Sequence, residues 1–458
     1  MQRLEAPIFP AASDPVPGLP PLTVREFDVL MRRLGPFEPR PEIAVACSGG
    51  ADSMALTVFA AAWARRRGGQ AIALIVDHGL RADSAAEASL VRRRLDGLGI
   101  AAYILRWTGG KPATGMQQAA RDARYTLMER WCRRQAILHL AVGHHLEDQA
   151  ETVLHRTERS SGADGLAGMA PIRETASLRL LRPLLDTPRD RLRGMLRSRG
   201  IDWVEDPSNQ NPAYARARLR AKAPELAEAG LGSAAVAGEA RIAAAARGQR
   251  DLETADALAR FAALYPEGYA TLDRSFFAEN GSDIARRGLN ALLCTIGGRV
   301  YPVPSDPLDR LYKIILKQSF TGKRTLSGCL AWATDNQVLI AREAGRISAT
   351  AIREGEEIFW DRRFRVRLKS RGTASRQFRL APLDLHLLGE IDCEVARERA
   401  RALPTTVRPS LPALYDRRGL VAVPHLGYGR AAQNAASVRA NIVFLPVRPA
   451  SFAVFPVV

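Results

Sequence analysis

A glycine pair between an apolar run and an alanine-rich segment is the feature that most constrains the fold of this chain. The run at 43–47 predicts a buried strand, and the segment at 54–63 predicts a helix with little polar surface. The residues between them are Ser48, Gly49, Gly50, Ala51, Asp52 and Ser53. Glycine lets backbone N–H groups approach a ligand closely, and the start of a helix adds partial positive charge. The stretch therefore predicts a loop that holds a phosphate group, with hydroxyl donors at both of its ends.

The aspartate is the unusual member of this loop, because a carboxylate beside a phosphate is repulsive unless a cation lies between them. Asp52 is therefore a candidate ligand for Mg²⁺. The alternative is a tight turn between strand and helix in which Asp52 only interacts favourably with the helix dipole. The stretch lacks the Gly-x-x-x-x-Gly-Lys-Ser/Thr pattern of a Walker loop. It resembles the pyrophosphate loop (PP-loop) of the N-type ATP pyrophosphatases, which implies adenylation of a substrate oxygen, release of pyrophosphate and displacement of AMP by a nucleophile.

Strands alternate with helices through the first two hundred residues. After the first strand and helix, strands are predicted at 71–76, 101–107 and 137–142, and helices at 83–98, 115–134 and 146–156. This order predicts an α/β fold with a doubly wound, mostly parallel sheet, in which ligands bind beyond the carboxyl ends of the strands. Polar clusters follow three of these strands, at 48–53, 77–81 and 144–151. We therefore expect the three clusters to form one site.

The cluster after the fourth strand contains two histidines followed by three acidic residues. His144 and Asp148 are four residues apart, and Asp148 and Glu151 are three apart, so a helix would place them on one face. His145 and Glu147 lie between them. Two carboxylates beside an imidazole can hold a metal, bind an ammonium group or transfer protons. The alternative is a capped, solvated helix start, and the absence of further ligand spacing argues against zinc.

The charge and the cysteines restrict the class of protein. The net charge of +18 over 458 residues favours a polyanionic partner, although abundant Arg, Ala and Gly are also typical of GC-rich coding. The five cysteines are far apart and form no Cys-x-x-Cys pair, which disfavours a zinc ribbon or an iron–sulfur centre. No apolar run approaches the roughly 20 residues of a membrane span. The Pro-rich residues 1–21 lack the order of a signal peptide, so we expect a loose leader on a reduced, cytoplasmic protein.

Seven blocks of the first half occur in the order that is typical of one family. They are Ser-Gly-Gly-Ala-Asp-Ser (48–53), Val-Asp-His-Gly-Leu-Arg (76–81), Ala-Arg-Asp-Ala-Arg-Tyr (120–125), His-His-Leu-Glu-Asp-Gln-Ala-Glu-Thr (144–152), Gly-Leu-Ala-Gly-Met (165–169), Arg-Pro-Leu-Leu (182–185) and Trp-Val-Glu-Asp-Pro-Ser-Asn (203–209). Together they resemble the tRNA(Ile)-lysidine synthetase family. The chain departs from the family at Glu147, where an aspartate is usual, and at Ser160, where a glycine is frequent.

The resemblance implies a two-step ligation. ATP adenylates the C2 oxygen of the wobble cytidine in an isoleucine tRNA with a CAU anticodon, and the ε-amine of free L-lysine then attacks C2 and expels AMP. The residues that would hold ATP are Ser48, Gly49, Gly50, Ala51, Asp52, Ser53, Asp77 and His78. Asp52 and Asp148 would hold Mg²⁺, and Arg121 or Arg124 would meet the α-phosphate or the activated cytosine. Asp148, Glu147 or Glu151 would bind the lysine ammonium group, and His144 or His145 would relay its proton.

The second half predicts two further domains after a catalytic domain at 22–212. A helical domain at 213–325 is expected to bind tRNA and begins with a basic segment that includes Arg216 and Arg220. It resembles the family's Arg-Asn-x-Leu-Arg segment, with Ala217 in place of the asparagine. A small domain at 326–458 is expected to contain short strands at 337–341, 364–368 and 377–380 and to help hold the tRNA.

In that last domain, an alternation of basic and apolar residues predicts a positively charged strand face or, equally, a merely solvated one. The basic residues are Arg363, Arg365, Arg367 and Lys369. The sequence leaves the oligomeric state open, with a homodimer among the alternatives.

Two other classes of function compete with ligation. Another PP-loop enzyme is the nearest rival, although many tRNA 2-thiolating members carry Cys-x-x-Cys pairs, and synthetases of NAD, GMP or asparagine have less need of such basic charge. A non-catalytic RNA-binding protein with the same fold is the second rival. Retention of both Asp52 and Asp148 argues against it.

Overall fold

The structure is a computed structural model that describes residues 19–108, 110–112, 114–158, 163–175, 177–205, 218–219, 221–317, 321–369, 376–430 and 440–451. Its contacts divide the chain into two compact units. Within the described residues, unit 1 extends to Gly248 and unit 2 begins at Gln249. This division lies inside a helix, Ser233–Phe261. The predicted boundary at 212 falls outside the described residues, and the three-domain division stays a prediction.

Unit 1 contains the predicted alternation of strands and helices. Its strands are β1 Glu42–Ala46, β2 Gln70–Asp77, β3 Ala102–Arg106, β4 His139–Val142, β5 Ile172–Glu174 and β6 Arg179–Leu181. Its helices are α1 Val24–Arg32, α2 Ala51–Arg65, α3 Ser84–Gly97, α4 Met116–Arg134, α5 Leu146–Glu158, α6 Ala163–Leu166, α7 Arg189–Ser198 and α8 Ala223–Glu228, followed by α9 Ser233–Phe261, which continues into unit 2.

The six strands form one sheet in the order β3-β2-β1-β4-β6-β5. All neighbouring pairs are parallel except β5 with β6, which are antiparallel. The prediction of a mostly parallel, doubly wound α/β sheet is therefore confirmed. Because β1 lies between β2 and β4, the loops that follow these three strands lie side by side.

Helix α2 explains why this region is rich in alanine. Every residue of α2 except Asp52 and Arg65 is buried. Small side chains let the helix pack closely against β1 and β2 on one side and α7 on the other. Larger residues fill the remaining space, and the rings of Phe27 and Phe59 stack with their centroids 5.1 Å apart. This packing fixes the amino end of α2, which carries Asp52.

The described residues of unit 2 form three antiparallel sheets and several helices. The remaining helices are α10 Ser275–Glu279, α11 Ser282–Gly297, α12 Ser305–Leu316 and α13 Glu394–Ala402. The strands are β7 Ala262–Tyr265, β8 Tyr269–Asp273, β9 Gly322–Leu326, β10 Cys329–Ala333, β11 Gln337–Arg342, β12 Thr350–Arg353, β13 Glu357–Trp360, β14 Phe364–Leu368, β15 Gln377–Pro382, β16 Pro412–Asp416, β17 Gly419–Val423, β18 Tyr428–Gly429 and β19 Ala440–Phe444.

The sheet orders are β7-β8-β11-β10-β9, β12-β15-β16-β17-β18 and β13-β14-β19. The strands predicted at 337–341, 364–368 and 377–380 are confirmed as β11, β14 and β15. The segment expected to be helical, 213–325, also contains strands, because α9 ends at Phe261 and the next residues form the hairpin β7-β8. Among the described residues, no helix is both long enough and apolar enough to cross a membrane.

The predicted basic strand face also needs one correction, at Arg363. This side chain is fully buried, and its Nε lies 2.6 Å from Asp361 Oδ2 while its Nη1 donates to the carbonyl of Gly268 at 3.2 Å. Burial lowers the pKa of Arg363 to about 10. The residues before it, Asp361 and Arg362, have positive φ and form the turn into β14. Along β14, Arg367 is exposed, so the charged face begins after Arg363.

Candidate active site

The turn between β1 and α2 needs glycine at position 49. Gly49 has a φ of +87°, and a Cβ placed on it would lie 2.4 Å from Cγ2 of Val91 in α3. The backbone of the Trp-Val-Glu-Asp block supports the turn from the other side, because Val204 N donates to the Gly49 carbonyl at 2.8 Å. The turn is therefore held from two sides and has no room for a side chain at Gly49.

The two serines of the turn are joined by hydrogen bonds. Ser48 N donates to Ser53 Oγ at 3.1 Å, and the two hydroxyl oxygens are 3.2 Å apart. Ser53 Oγ also donates to the carbonyl of Gly50 at 3.0 Å. These contacts close the turn on itself and give it a fixed shape.

Asp52 at the amino end of α2 meets the histidine cluster after β4. His145 Nε2 lies 3.5 Å from Asp52 Oδ2 and 3.4 Å from Asp148 Oδ2, while His145 Nδ1 contacts Glu147 Oε2 at 2.8 Å. Gly143 allows this approach, since a Cβ there would lie 3.2 Å from backbone atoms of Asp52. The structure therefore brings together two of the three predicted clusters around one imidazole.

Charge fixes the protonation state of this group. Burial alone would lower the pKa of His145, but Asp52, Glu147 and Asp148 raise it to about 10. Burial would raise the pKa of Asp52 and of Glu147, yet the imidazolium outweighs burial and both pKa values fall below their usual range. At neutral pH His145 is therefore an imidazolium beside the carboxylates of Asp52 and Glu147.

The family departure at Glu147 has a structural role. The carboxylate of Glu147 accepts the backbone N–H of Arg189 at 3.1 Å, in addition to its contact with His145. Arg189 is the first residue of α7, and its Nε lies 3.8 Å from Asp52 Oδ1. No sequence pattern indicated Arg189 as a site residue, because it lies far from both Glu147 and Asp52 along the chain.

The two predicted site residues of the cluster after β2, Asp77 and His78, have different surroundings. Asp77 accepts from Gly79 N at 2.9 Å and from Ser84 Oγ at 2.8 Å, so its carboxylate shapes the turn into α3. His78 Nε2 accepts from Arg124 Nε of α4 at 3.3 Å. Burial and the nearby charge of Arg124 lower the pKa of His78, which keeps its ring neutral.

The remaining residues predicted for the site lie on α4, on α5 or just before it, or outside the described residues. The guanidinium of Arg121 lies 5.2 Å from the centroid of the Tyr125 ring on α4. Glu151 is buried on α5, and His144 is half-buried just before that helix. Arg216, Arg220 and Ser160 lie outside the described residues. Within the described part of the chain, no group of three or more His, Cys, Asp or Glu residues is arranged to hold a metal ion.

The Gly-Leu-Ala-Gly-Met block is anchored by side chains that were not among the predicted site residues. Gln149 donates to the Met169 carbonyl at 3.1 Å and accepts from Met169 N at 2.8 Å. Arg156 donates to the Gly168 carbonyl at 2.8 Å, and Arg182 donates to the Ala170 carbonyl at 2.6 Å. The first two residues of this block, Gly165 and Leu166, belong to the short helix α6. It is therefore ordered by α5 and by the Arg-Pro-Leu-Leu block.

Comparisons with known proteins show which sequences and structures this chain is similar to. A family model described as a PP-loop domain matches residues 23–226. A tRNA(Ile)-lysidine synthase of Bradyrhizobium sp. (strain BTAi1) is 43% identical over 335 residues, which are 69% of this chain and 92% of that protein. A tRNA(Ile)-lysidine synthase of Ruegeria pomeroyi is 35% identical over 348 residues, which are 76% of this chain and 82% of that protein.

Among solved structures, the U34-tRNA thiolase NcsA from Methanococcus maripaludis matches with a TM-score of 0.42 and 18% identity, over 48% of this chain and 79% of that one.

Proposed function

The chain belongs to the tRNA(Ile)-lysidine synthase family, and on this premise we propose that it ligates free L-lysine to C2 of the wobble cytidine of an isoleucine tRNA with a CAU anticodon. The reaction consumes ATP and yields lysidine, AMP and pyrophosphate. The observation that carries the proposal is the position of His145, whose Nε2 lies 3.5 Å from Asp52 of the PP-loop and 3.4 Å from Asp148 of α5. This contact joins the nucleotide loop to the group of acidic residues that the second step requires.

The first step places charge on the leaving pyrophosphate. We assign its binding to the N–H groups of the turn at Gly49 and Gly50 and to the hydroxyl of Ser48, with Ala51 and Ser53 holding the turn. Asp77 and His78, after β2, complete the nucleotide-binding set. The attacking atom is the C2 oxygen of cytidine, its bond to the α-phosphorus forms, and the bond between the α- and β-phosphates breaks. Arg121 and Arg124 are assigned to the α-phosphate or to the activated cytosine.

The residues at this site fit a magnesium ion. Asp52 Oδ1 is a buried carboxylate oxygen without a hydrogen-bond partner among the described residues. Carboxylate oxygens are the ligands that Mg²⁺ prefers, and it is usually held by one or two of them together with substrate phosphates. Asp52, with Asp148, would hold it. When bound, Mg²⁺ neutralises negative charge on the departing pyrophosphate.

In the second step the amine of lysine attacks C2, the bond between C2 and the adenylated oxygen breaks, and AMP leaves. Glu147 already accepts from His145 and from the backbone of Arg189, so we assign the lysine ammonium group to Asp148 and Glu151. A histidine with a pKa of about 10 is a poor proton acceptor at neutral pH. We therefore assign His145 the role of a fixed positive charge and His144 that of accepting the amine proton.

The tRNA is the remaining substrate. The net charge of +18 supports binding through phosphate contacts, which is expected to weaken steeply as salt increases. We assign part of these contacts to Arg216 and Arg220 and to the basic residues of β14. Because its proposed substrates are tRNA, ATP and lysine, we place the protein in the cytoplasm.

Labelled lysine tests the proposal directly. Purified protein should incorporate it into an isoleucine tRNA transcript with a CAU anticodon only when ATP is present, and should leave the methionine tRNA with the same anticodon unlabelled. Asp52→Asn and Asp148→Asn should each abolish labelling. Asp190→Asn, the same change at an exposed position of α7, is the matched control and should keep it. Cleavage of ATP to AMP without labelling would contradict lysine as the nucleophile.

A further inference from the structure

We propose that the side chain of Arg189 binds the β- and γ-phosphates of ATP and stabilises the pyrophosphate as it leaves. The inference rests on the proposed function and adds a catalytic residue to that site. Its basis is a pair of unsatisfied polar atoms that face each other at the mouth of the phosphate loop, one on α7 and one on α2.

The first unsatisfied atom belongs to Arg189. Its Nε is shielded from solvent and has no hydrogen-bond acceptor in the described part of the chain. A guanidinium N–H in such a position normally has a partner, because leaving it unpaired is costly. The nearest carboxylate oxygen is Asp52 Oδ1 at 3.8 Å, which is beyond hydrogen-bond distance.

The second unsatisfied atom is that same Asp52 oxygen, which is also buried and without a hydrogen-bond partner among the residues described. The donor and the acceptor lie 3.8 Å apart and do not bond to each other, so each can still bond to a third group. A phosphate oxygen would accept from the guanidinium, and a cation bound to the same phosphate would contact the carboxylate. A single phosphate with its counter-ion therefore satisfies both atoms.

The balance of charge favours the same assignment. Around His145 there are three carboxylates, those of Asp52, Glu147 and Asp148, and one imidazolium. A polyphosphate that enters beside Asp52 needs further positive charge on the protein side. Arg189 supplies such charge from α7, with its Nε 3.8 Å from Asp52 Oδ1, and Arg193 of the same helix adds to the positive field at Asp52. A guanidinium is well suited to this task, because its planar donors match phosphate oxygens.

The backbone and the side chain of Arg189 have separate tasks, and this makes the proposal testable. The backbone N–H donates to Glu147 and stays in place when the side chain is replaced. A substitution at 189 therefore removes the guanidinium without releasing Glu147 from α7. The competing role is purely structural, with Arg189 acting only as a distant counter-ion of Asp52.

Calorimetric titration of the full-length protein with three ligands separates the two roles. In the presence of Mg²⁺, Arg189→Ala should weaken the binding of inorganic pyrophosphate and of ATP by roughly tenfold to a hundredfold, the range for a charged hydrogen bond. AMP lacks the β- and γ-phosphates and should bind within about twofold of the parent. Arg189→Lys keeps the positive charge but not the planar set of N–H donors. It should therefore weaken the binding of ATP and pyrophosphate to an intermediate extent.

Arg197→Ala is the matched control, because it removes the same type of side chain from the same helix about 12 Å further along the axis. Arg197 lies over the Trp203 ring, and its variant should bind all three ligands as the parent does. Equal weakening of ATP and AMP, or unchanged pyrophosphate affinity in Arg189→Ala, would overturn the proposal, as would a parent protein that does not bind pyrophosphate. These titrations need neither lysine nor tRNA, so failure of lysine ligation in the parent is a separate outcome.

Discussion

Replacing Gly49 by alanine should damage the phosphate loop through its own backbone and through its neighbour Val91. The φ of +87° is unfavourable for any residue with a Cβ and costs about 1–2 kcal/mol. The added Cβ would lie 2.4 Å from Val91 Cγ2, more than 1 Å inside normal contact. Such overpacking costs about 1–3 kcal/mol. We expect Gly49→Ala to destabilise unit 1 by about 2–5 kcal/mol in total.

A second substitution separates the two contributions. Val91→Ala removes the clashing methyl group, and the nearest remaining atoms, the Cβ of residue 91 and Val204 Cγ2, would each lie 3.6 Å from the new Cβ, which is ordinary contact. Val91→Ala alone should cost about 2 kcal/mol for its two buried methyl groups. The double variant should therefore be more stable than the sum of the single effects by about 1–3 kcal/mol, and only the backbone strain should remain.

Hydrogen exchange of peptides that cover β1, followed by mass spectrometry, measures this coupling within unit 1. A urea curve of the whole chain would mix the two units. ATP titration of the same proteins should show weaker binding in Gly49→Ala and partial recovery in the double variant. Effects that add to within about 0.5 kcal/mol would refute the reasoning, because the contact with Val91 would then not be the reason for glycine.

Two further predictions concern α5. The stability that His145 contributes is fully present below its unfolded pKa of 6.5 and is lost as pH rises through about 10, so the melting temperatures of the parent and His145→Gln should differ most at or just below pH 6.5 and converge above about pH 10. A difference that stays constant would contradict the raised pKa. Gln149→Leu should leave both backbone groups of Met169 unsatisfied at about 1–3 kcal/mol each, and limited proteolysis should cut more quickly near Met169 than in the exposed control Gln118→Leu. Equal cleavage would show that Gln149 does not hold that segment.

The parts of the site that could be predicted are those encoded in continuous stretches. The turn at 48–53 and the cluster at 144–151 each follow a buried strand, and neighbouring parallel strands bring their carboxyl ends to one edge of the sheet. That rule alone predicts that the loop carrying Asp52 lies near the histidine cluster. The choice among metal ligand, ammonium site and proton carrier does not follow, because it depends on distances of a few tenths of an ångström.

The parts that could not be predicted depend on contacts between distant residues. Gln149 bonds to Met169, 20 residues away, and Arg189 meets Glu147, 42 residues away, without any periodicity that would indicate either pair. The hairpin β7-β8 could not be predicted for the same reason. Its first residues, Ala262 to Leu264, are good helix formers, but pairing with β8, which itself pairs with β11, overrides that weak preference.

Glu147 shows how a departure from the family pattern can be read from its contacts. Its carboxylate bridges His145 Nδ1 at 2.8 Å and Arg189 N at 3.1 Å. An aspartate is one methylene shorter, about 1.5 Å, and from an unchanged backbone it would reach only one of these partners. The longer side chain therefore ties the imidazolium to the amino end of α7, the point from which the Arg189 side chain extends toward Asp52. In this chain one carboxylate holds both the imidazolium and the backbone from which the guanidinium of Arg189 extends.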